Sequence, residues 1–221
     1  MGLFSSPKNA DKLFDVAEAA HEKGNYRKAA ELYGKAADLG HVLSMIYLAY
    51  SYRFGEGVPE DAKEALKWYQ KAYRSGYRKA AGSIGAMYHY EEICGADNDE
   101  IEELLLEGAA YDNDKTYIPL TERYYFPKYG HENSKLAAYW AYRAYTAGIS
   151  YGNYYMGLFY YHGDFFPKAP AYAKYYLEEF VDLGGDMDVT DLLEDEDIKK
   201  VTGVKPTLKP FGDTLPDNFF D

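Results

Sequence analysis

One cysteine in 221 residues leaves no internal disulfide and no paired-thiolate zinc site, so nothing requires an oxidising compartment. No apolar run approaches the roughly 18–20 residues that a membrane-spanning helix needs. The opening MGLFSSPKNADK lacks the long apolar segment of a secretory signal, and the expected location is cytoplasmic. Gly2 with Ser6 fits the loose pattern for N-myristoylation, against the plainer reading of a flexible leader over residues 1–10.

Catalytic and ligand-binding signatures are equally scarce. The histidines, His21, His41, His89, His131 and His162, fall in different segments, with no H-x-x-x-H spacing. There is no G-x-S-x-G, phosphate loop or dinucleotide fingerprint, and Cys94 has no sequence neighbour that would activate a thiolate. Asp186 and Asp188 begin like a calcium loop, but Asp191 stands where that loop needs its turn glycine. No metal or cofactor is expected. Cations are outnumbered too: 24 Lys and Arg against 36 Asp and Glu give −12 and a pI near 4.9. Such a surface repels phosphate backbones, which disfavours nucleic acid and favours a neutral or basic partner.

What the chain has in abundance is a period of 36 residues. Gly40, Gly76, Asp112, Gly148 and Gly184 fall on one register, and Tyr52, Tyr88, Tyr124 and Tyr160 on another. Ala29, Ala65, Ile101, Ala137 and Ala173 make a third column. Leu32, Trp68, Leu104, Trp140 and Tyr176 make a fourth. Ala36, Ala72, Gly108 and Ala144 make a fifth, which breaks at Phe180. Parallel columns at such a period mark a repeat array. Each unit reads as two helices about a turn, with small residues where helices approach and large aromatics between units.

In the first unit, Ala17, Ala20, Gly24, Asn25, Tyr26, Ala29, Tyr33 and Ala36 resemble a tetratricopeptide repeat. From Ala49 the chain places Tyr52, Gly55, Gly57, Val58, Asp61, Ala65, Trp68, Tyr69, Lys71, Ala72 and Gly76 in the pattern A-x-x-Y-x-x-G-x-G-V-x-x-D-x-x-x-A-x-x-W-Y-x-K-A-x-x-x-G. That pattern resembles the Sel1-like repeat, a longer-turned relative. The resemblance implies an all-α fold, an α-solenoid wound as a right-handed superhelix, of about five helix-turn-helix repeats. Their expected bounds are a tetratricopeptide-like unit at 11–40 and Sel1-like units at 41–76, 77–112, 113–148 and 149–184. Unit three has lost the double glycine and the Trp-Tyr pair, and Pro119 in unit four should start or kink its first helix. Residues 185–221 are expected to form an acidic capping helix and a proline-containing extended tail. Residues 186–221 hold ten Asp and Glu against four Lys. The tail's Phe211, Phe219 and Phe220 either fold back on the protein's own groove or dock on a neighbour.

A candidate surface follows from helical spacing. Met45, Leu48, Ala49 and Tyr52 share the face of unit two's first helix that is expected to be buried, which turns Leu43, Ile46, Tyr50, Arg53 and Phe54 elsewhere. In tetratricopeptide-like solenoids that second stripe lines the concave groove. The resemblance carries the stripe to Phe14, Glu18 and His21 in unit one and to His89 and Tyr90 in unit three. It continues to Glu122, Tyr125 and Phe126 in unit four and to Tyr154, Tyr161 and His162 in unit five. With 26 tyrosines in the chain, each ring either lines that groove or packs between helices, and the sequence leaves both open.

The implied function is a non-enzymatic adaptor whose groove holds a peptide, helix or loop of another protein. An immunity-type inhibitor of a basic toxin domain is the alternative. A hydrolase would require His89, Glu122 and His162 to meet in one pocket. Family members linked to β-lactam hydrolysis resemble cysteine-rich chains with a disulfide in each unit, a pattern from which this chain departs.

Overall fold

The computed structural model describes residues 7–130, 132–207 and 211, and among these it contains helices and no strand. The chain forms two compact units, one ending at Thr116 and one beginning at Tyr117. The first holds three helix pairs: α1 (Pro7–Glu22) with α2 (Tyr26–Asp38), α3 (Val42–Phe54) with α4 (Ala62–Arg74), and α5 (Ala80–His89) with α6 (Asn98–Ala110). The second holds α7 (Tyr117–Tyr125) with α8 (Ser134–Thr146) and α9 (Ser150–His162) with α10 (Pro170–Asp182). Two one-turn helices follow, α11 (Thr190–Leu193) and α12 (Glu196–Lys199). The protein is an all-α solenoid of helix pairs.

Helix α4 shows how the repeat encodes its elements. Asp61 caps it by accepting from the backbone amides of Lys63 and Glu64, both at 3.0 Å, with Glu64 in the first turn and Lys71 and Arg74 in the last, as the helix dipole favours. Ala65, Tyr69 and Ala72 form its buried stripe. The stop is stereochemical. Gly76 takes φ 94°, its amide donates to the Tyr73 carbonyl at 3.0 Å, and that of Tyr77 donates to Ala72 at 3.1 Å. This reversal satisfies two terminal carbonyls through a left-handed residue.

The same cap recurs at every period. His41 donates to Ala36, Asn113 to Gly108, Ile149 to Ala144 and Gly185 to Phe180, at 2.9–3.0 Å. All five residues of the marker column have positive φ, including Asp112 at 57°. The register found in the letters is therefore a register of backbone conformation.

The cores form between helices from the small-residue columns. Ala17, Ala29, Tyr33, Met45, Leu48 and Ala72 belong to one buried cluster, and Ala49, Ala65, Tyr69, Ile84 and Met87 to the next. Met45, Leu48 and Ala49 are buried, and Tyr52 is partly so. Where α5 crosses α6 the backbones approach closely: a Cβ on Gly108 would lie 2.3 Å from the Gly82 Cα.

The ends differ from the sequence reading. Residues 7–10, expected in a flexible leader, are helical: α1 begins at Pro7, a residue suited to a first helical position, and Ala10 is already buried. Any lipid at Gly2 lies outside the described residues. The acidic cap is two helical turns, because Asp195, extended at φ −55° and ψ 139°, ends one and caps the next through the Asp197 amide at 2.9 Å. The buried Val189 and Ile198 anchor this cap. In unit four, α7 starts two residues before Pro119, which sits in the first turn where no amide is needed.

The tail continues without helix or strand over residues 201–207. Val204 donates its amide to the Ala171 carbonyl at 2.9 Å. Phe211 then packs on Tyr139 and Tyr142 of α8 and on Phe165 and Phe166, with ring centroids 5.6–6.0 Å apart. The described part of the tail thus lies on the second-helix side of its unit, not along the first-helix stripe. Phe219 and Phe220 lie outside the described residues.

Candidate functional site: the first-helix faces

In the first unit, the stripe comes together at the C-terminal ends of α3 and α5. Tyr50 and Phe54 lie one turn apart on α3 with centroids 4.5 Å apart, and they are 40% and 51% exposed. Between them in sequence, Arg53 makes a two-pronged contact with Glu92 in the loop after α5, Nε to Oε2 at 2.8 Å and Nη2 to Oε1 at 2.5 Å. Burial works against the Arg53 charge, but the hydrogen bonds and charge of Glu92 outweigh it and raise the guanidinium's pKa further. Its carbon also lies 5.1 Å from the Phe54 ring centre. Tyr90, at the end of α5, is 48% exposed. The result is an aromatic surface pinned from beneath by an ion pair that ties one repeat to the next.

Other residues assigned to the stripe serve packing. His89 is 6% exposed, so it offers little to a partner, and its ring lies 4.9 Å from that of Tyr90. This corrects its place on an open groove: His89 is the last residue of α5 and is buried with most of that helix. Phe14 is partly buried against Tyr33, His41 and Tyr47. Glu18 accepts a hydrogen bond from the Tyr33 hydroxyl, and His21 meets Glu56 at 3.3 Å.

In the second unit, Tyr125 packs edge-on against Phe126, Tyr155 and Phe159. Phe126 is 36% exposed, and His162 is exposed. Phenols here pair with carboxylates about one period away: Tyr155 donates to Glu122 at 3.0 Å, Tyr151 to Asp186 at 2.5 Å and Tyr161 to Asp195 at 3.0 Å. Tyr154 is half-buried against Tyr151, Tyr155 and Phe180. Burial and the charge of Asp164 push Tyr125 up to about 12. The hydrogen bond to Asp186, then burial, does the same for Tyr151. Both phenols therefore stay protonated at physiological pH.

The three residues that a hydrolase would need are divided between the units. His89 belongs to the first unit and Glu122 and His162 to the second, and the cleft present in the first unit is lined by none of them. Among the described residues no group of three His, Cys, Asp or Glu is placed to hold a metal ion. No described helix is long and apolar enough to cross a membrane.

Sequence reasoning passed over the phenol–carboxylate pairs and the buried Arg123, which is 1% exposed and lies 5.3 Å from the Tyr129 ring centre. The 34-residue spacing of Tyr161 and Asp195 was a usable signal for the pairs. Arg123 left none, because only packing buries a cation of that kind.

The Sel1 repeat profile matches residues 17–41, 42–77, 125–149 and 150–185, more than half of the chain. The chain belongs to the Sel1 repeat family. Its relatives include an exopolysaccharide production negative regulator of Rhizobium meliloti, 34% identical over 73 residues, a stretch that is 33% of this chain and 27% of that protein. The chain matches only 27% and 22% of the length of the two curated relatives. Among solved structures, a protective antigen of uropathogenic Escherichia coli with the same repeat fold aligns at TM-score 0.65 and 22% identity, over 79% of this chain and 38% of that one. The immunity protein Pa5087 of Pseudomonas aeruginosa aligns at TM-score 0.51 and 25% identity, over 84% of this chain and 73% of that one. Residues 78–124, which include most of repeat three, lie outside the profile matches.

Proposed function

We propose that this Sel1 repeat chain is a non-enzymatic adaptor that binds a neutral or basic segment of another protein on its first-helix faces. The observation that carries the reading is the pair of half-exposed rings, Tyr50 and Phe54, held over the two-pronged Arg53–Glu92 contact. Aromatic residues on a rigid base lose little freedom on binding and dominate interface energetics. In the second unit, Tyr125, Phe126, Tyr154 and Tyr161 supply further aromatic area beside carboxylates, in keeping with a cationic partner.

The test is co-purification from the source cells with wild type and with a Tyr50→Ala/Phe54→Ala double variant, both checked for an unchanged helical spectrum. A partner retained by wild type and lost by the variant supports the adaptor. Retention of every partner by the folded variant overturns this surface as the binding face.

An immunity-type role is the second reading, favoured by the alignment with Pa5087 and by the net charge of −12. Its test is rescue: co-expression should relieve the toxicity of a basic protein encoded beside this chain, and no rescue of any such neighbour would remove the reading.

A further inference from the structure

The first unit contains a cleft of about 520 Å³ between α4, α5 and α6, lined by none of the first-helix stripe residues. Its floor is apolar: Ile84 and Tyr88 of α5 with Leu104 of α6. Arg74 of α4 also lines it, as does a wall of α6 carboxylates, Glu100, Glu103 and Glu107, at helical spacing.

The carboxylates differ in how far the protein already uses them. Glu107 is neutralised, accepting from the Tyr73 hydroxyl at 2.8 Å and pairing with Arg78 at 3.2 Å. Glu100 spends one oxygen on the Asp97 amide at 3.1 Å. Glu103 is exposed, with no ion pair among the described residues. Arg74, likewise exposed and unpaired there, can donate to carbonyls of a bound chain.

The surroundings set the sign of the occupant. Residues 91–114 hold ten Asp and Glu and no Lys or Arg, so the field at this wall attracts cations and repels anionic segments. The cleft is also where the repeat departs from its family: residues 78–124 escape the profile, and α5 has 10 residues where α3 and α9 have 13. The loop after α5 contributes Gly95 and Ala96 to the lining.

We propose that this cleft is a second docking site, whose occupant is a cationic segment of a partner protein. A lysine or arginine seats against Glu100 and Glu103, and an adjoining apolar residue covers Ile84, Tyr88 and Leu104. The site stands apart from the first-helix faces, so either can fail without the other.

The test uses the whole chain and two labelled heptapeptides, one alternating lysine with leucine or phenylalanine, the other with glutamate in place of lysine. By fluorescence anisotropy the lysine peptide should bind saturably, at least about tenfold tighter than the glutamate peptide. Glu103→Lys should weaken it about tenfold, whereas Asp15→Lys, an equal charge change on α1, should have a markedly smaller effect. Glu103→Gln, with thermal melts of each variant, guards against loss of folding and should weaken binding to a lesser degree. Position is read at Cys94, a free exposed thiol beside Gly95 and Ala96: saturating lysine peptide should slow its alkylation by a maleimide several-fold in wild type and not in Glu103→Lys. In Tyr50→Ala/Phe54→Ala, which removes the first-helix aromatic pair, the lysine peptide should still slow Cys94 alkylation. Equal binding of the two peptides, no binding, equal effects of Glu103→Lys and Asp15→Lys, or an unprotected Cys94 would each overturn the proposal.

Discussion

Repeat two, the α3–α4 pair, ends its second helix at Gly76 with φ 94°, whereas repeat three, the α5–α6 pair, makes the same reversal with Asp112 at φ 57°. At the end of the first helix, Gly55 at φ 70° in repeat two is answered one period on by Glu91 at φ 58° in repeat three. These are the two non-glycine residues with positive φ among the described residues, and repeat three holds both. The stacked fold demands the conformation; glycine is only the least strained way to supply it. Repeat three has kept the geometry with less suitable residues, and its divergent loop and short helix accompany the cleft.

The contrast breaks hardest at the helix crossing. The column that holds Ala72 in repeat two holds Gly108 in repeat three, where a Cβ would meet the Gly82 backbone at 2.3 Å. Gly108→Ala is expected to cost about 3 kcal/mol by forcing the α5 and α6 backbones apart. Thermal denaturation should show Tm falling by roughly 6–12 °C. An unchanged Tm would mean that the two helices do not cross this closely.

Next in size is a pH effect. Repeat two buries the Tyr69 phenol where repeat three buries Leu105. Burial, opposed by the nearby charge of Arg53, pushes Tyr69 up from 10.0 to about 12. Between those values the unfolded chain has released a proton that the native state retains, so stability falls as pH rises through that window. Tyr69→Phe should remove on the order of 2 kcal/mol of that alkaline loss by pH 12, measured by urea unfolding at pH 8, 10 and 12. Identical slopes for wild type and variant would show that Tyr69 is not buried as described.

Smaller gains should come from restoring glycine to repeat three. Glu91→Gly is expected to raise stability by about 1 kcal/mol, the left-handed penalty less glycine's greater chain entropy. Asp112→Gly should add roughly 0.5 kcal/mol, since Asp tolerates that region better than Glu. Denaturant midpoints measure both, and a loss of stability from either would mean that its carboxylate makes contacts that outweigh the backbone strain.

Much of the fold was legible before any coordinates. The columns of Gly76, Ala65 and Trp68 encode a stop, a close approach and a filler, all short-range requirements that repeat with the backbone. The site was legible only in part. Tyr50 and Phe54 are exposed as their helical phase implies, but His89, in the same stripe, is buried. The phase of a residue on one helix does not say what the next repeat places above it. Contacts such as Arg53 with Glu92, 39 residues apart, depend on how a divergent loop runs, and repeat three offered no consensus from which to read that loop.

The sequence alone determined the period, the helix pairs, the positions that reverse the chain and the acidic balance, because each follows from local stereochemistry or from a count of charges. Tertiary structure decided which rings are exposed, which carboxylates are already satisfied, that the cap is two turns, and that a cleft opens beside α6. Those outcomes depend on the distances at which separate helices come to rest, and these are set by packing between side chains far apart in the chain.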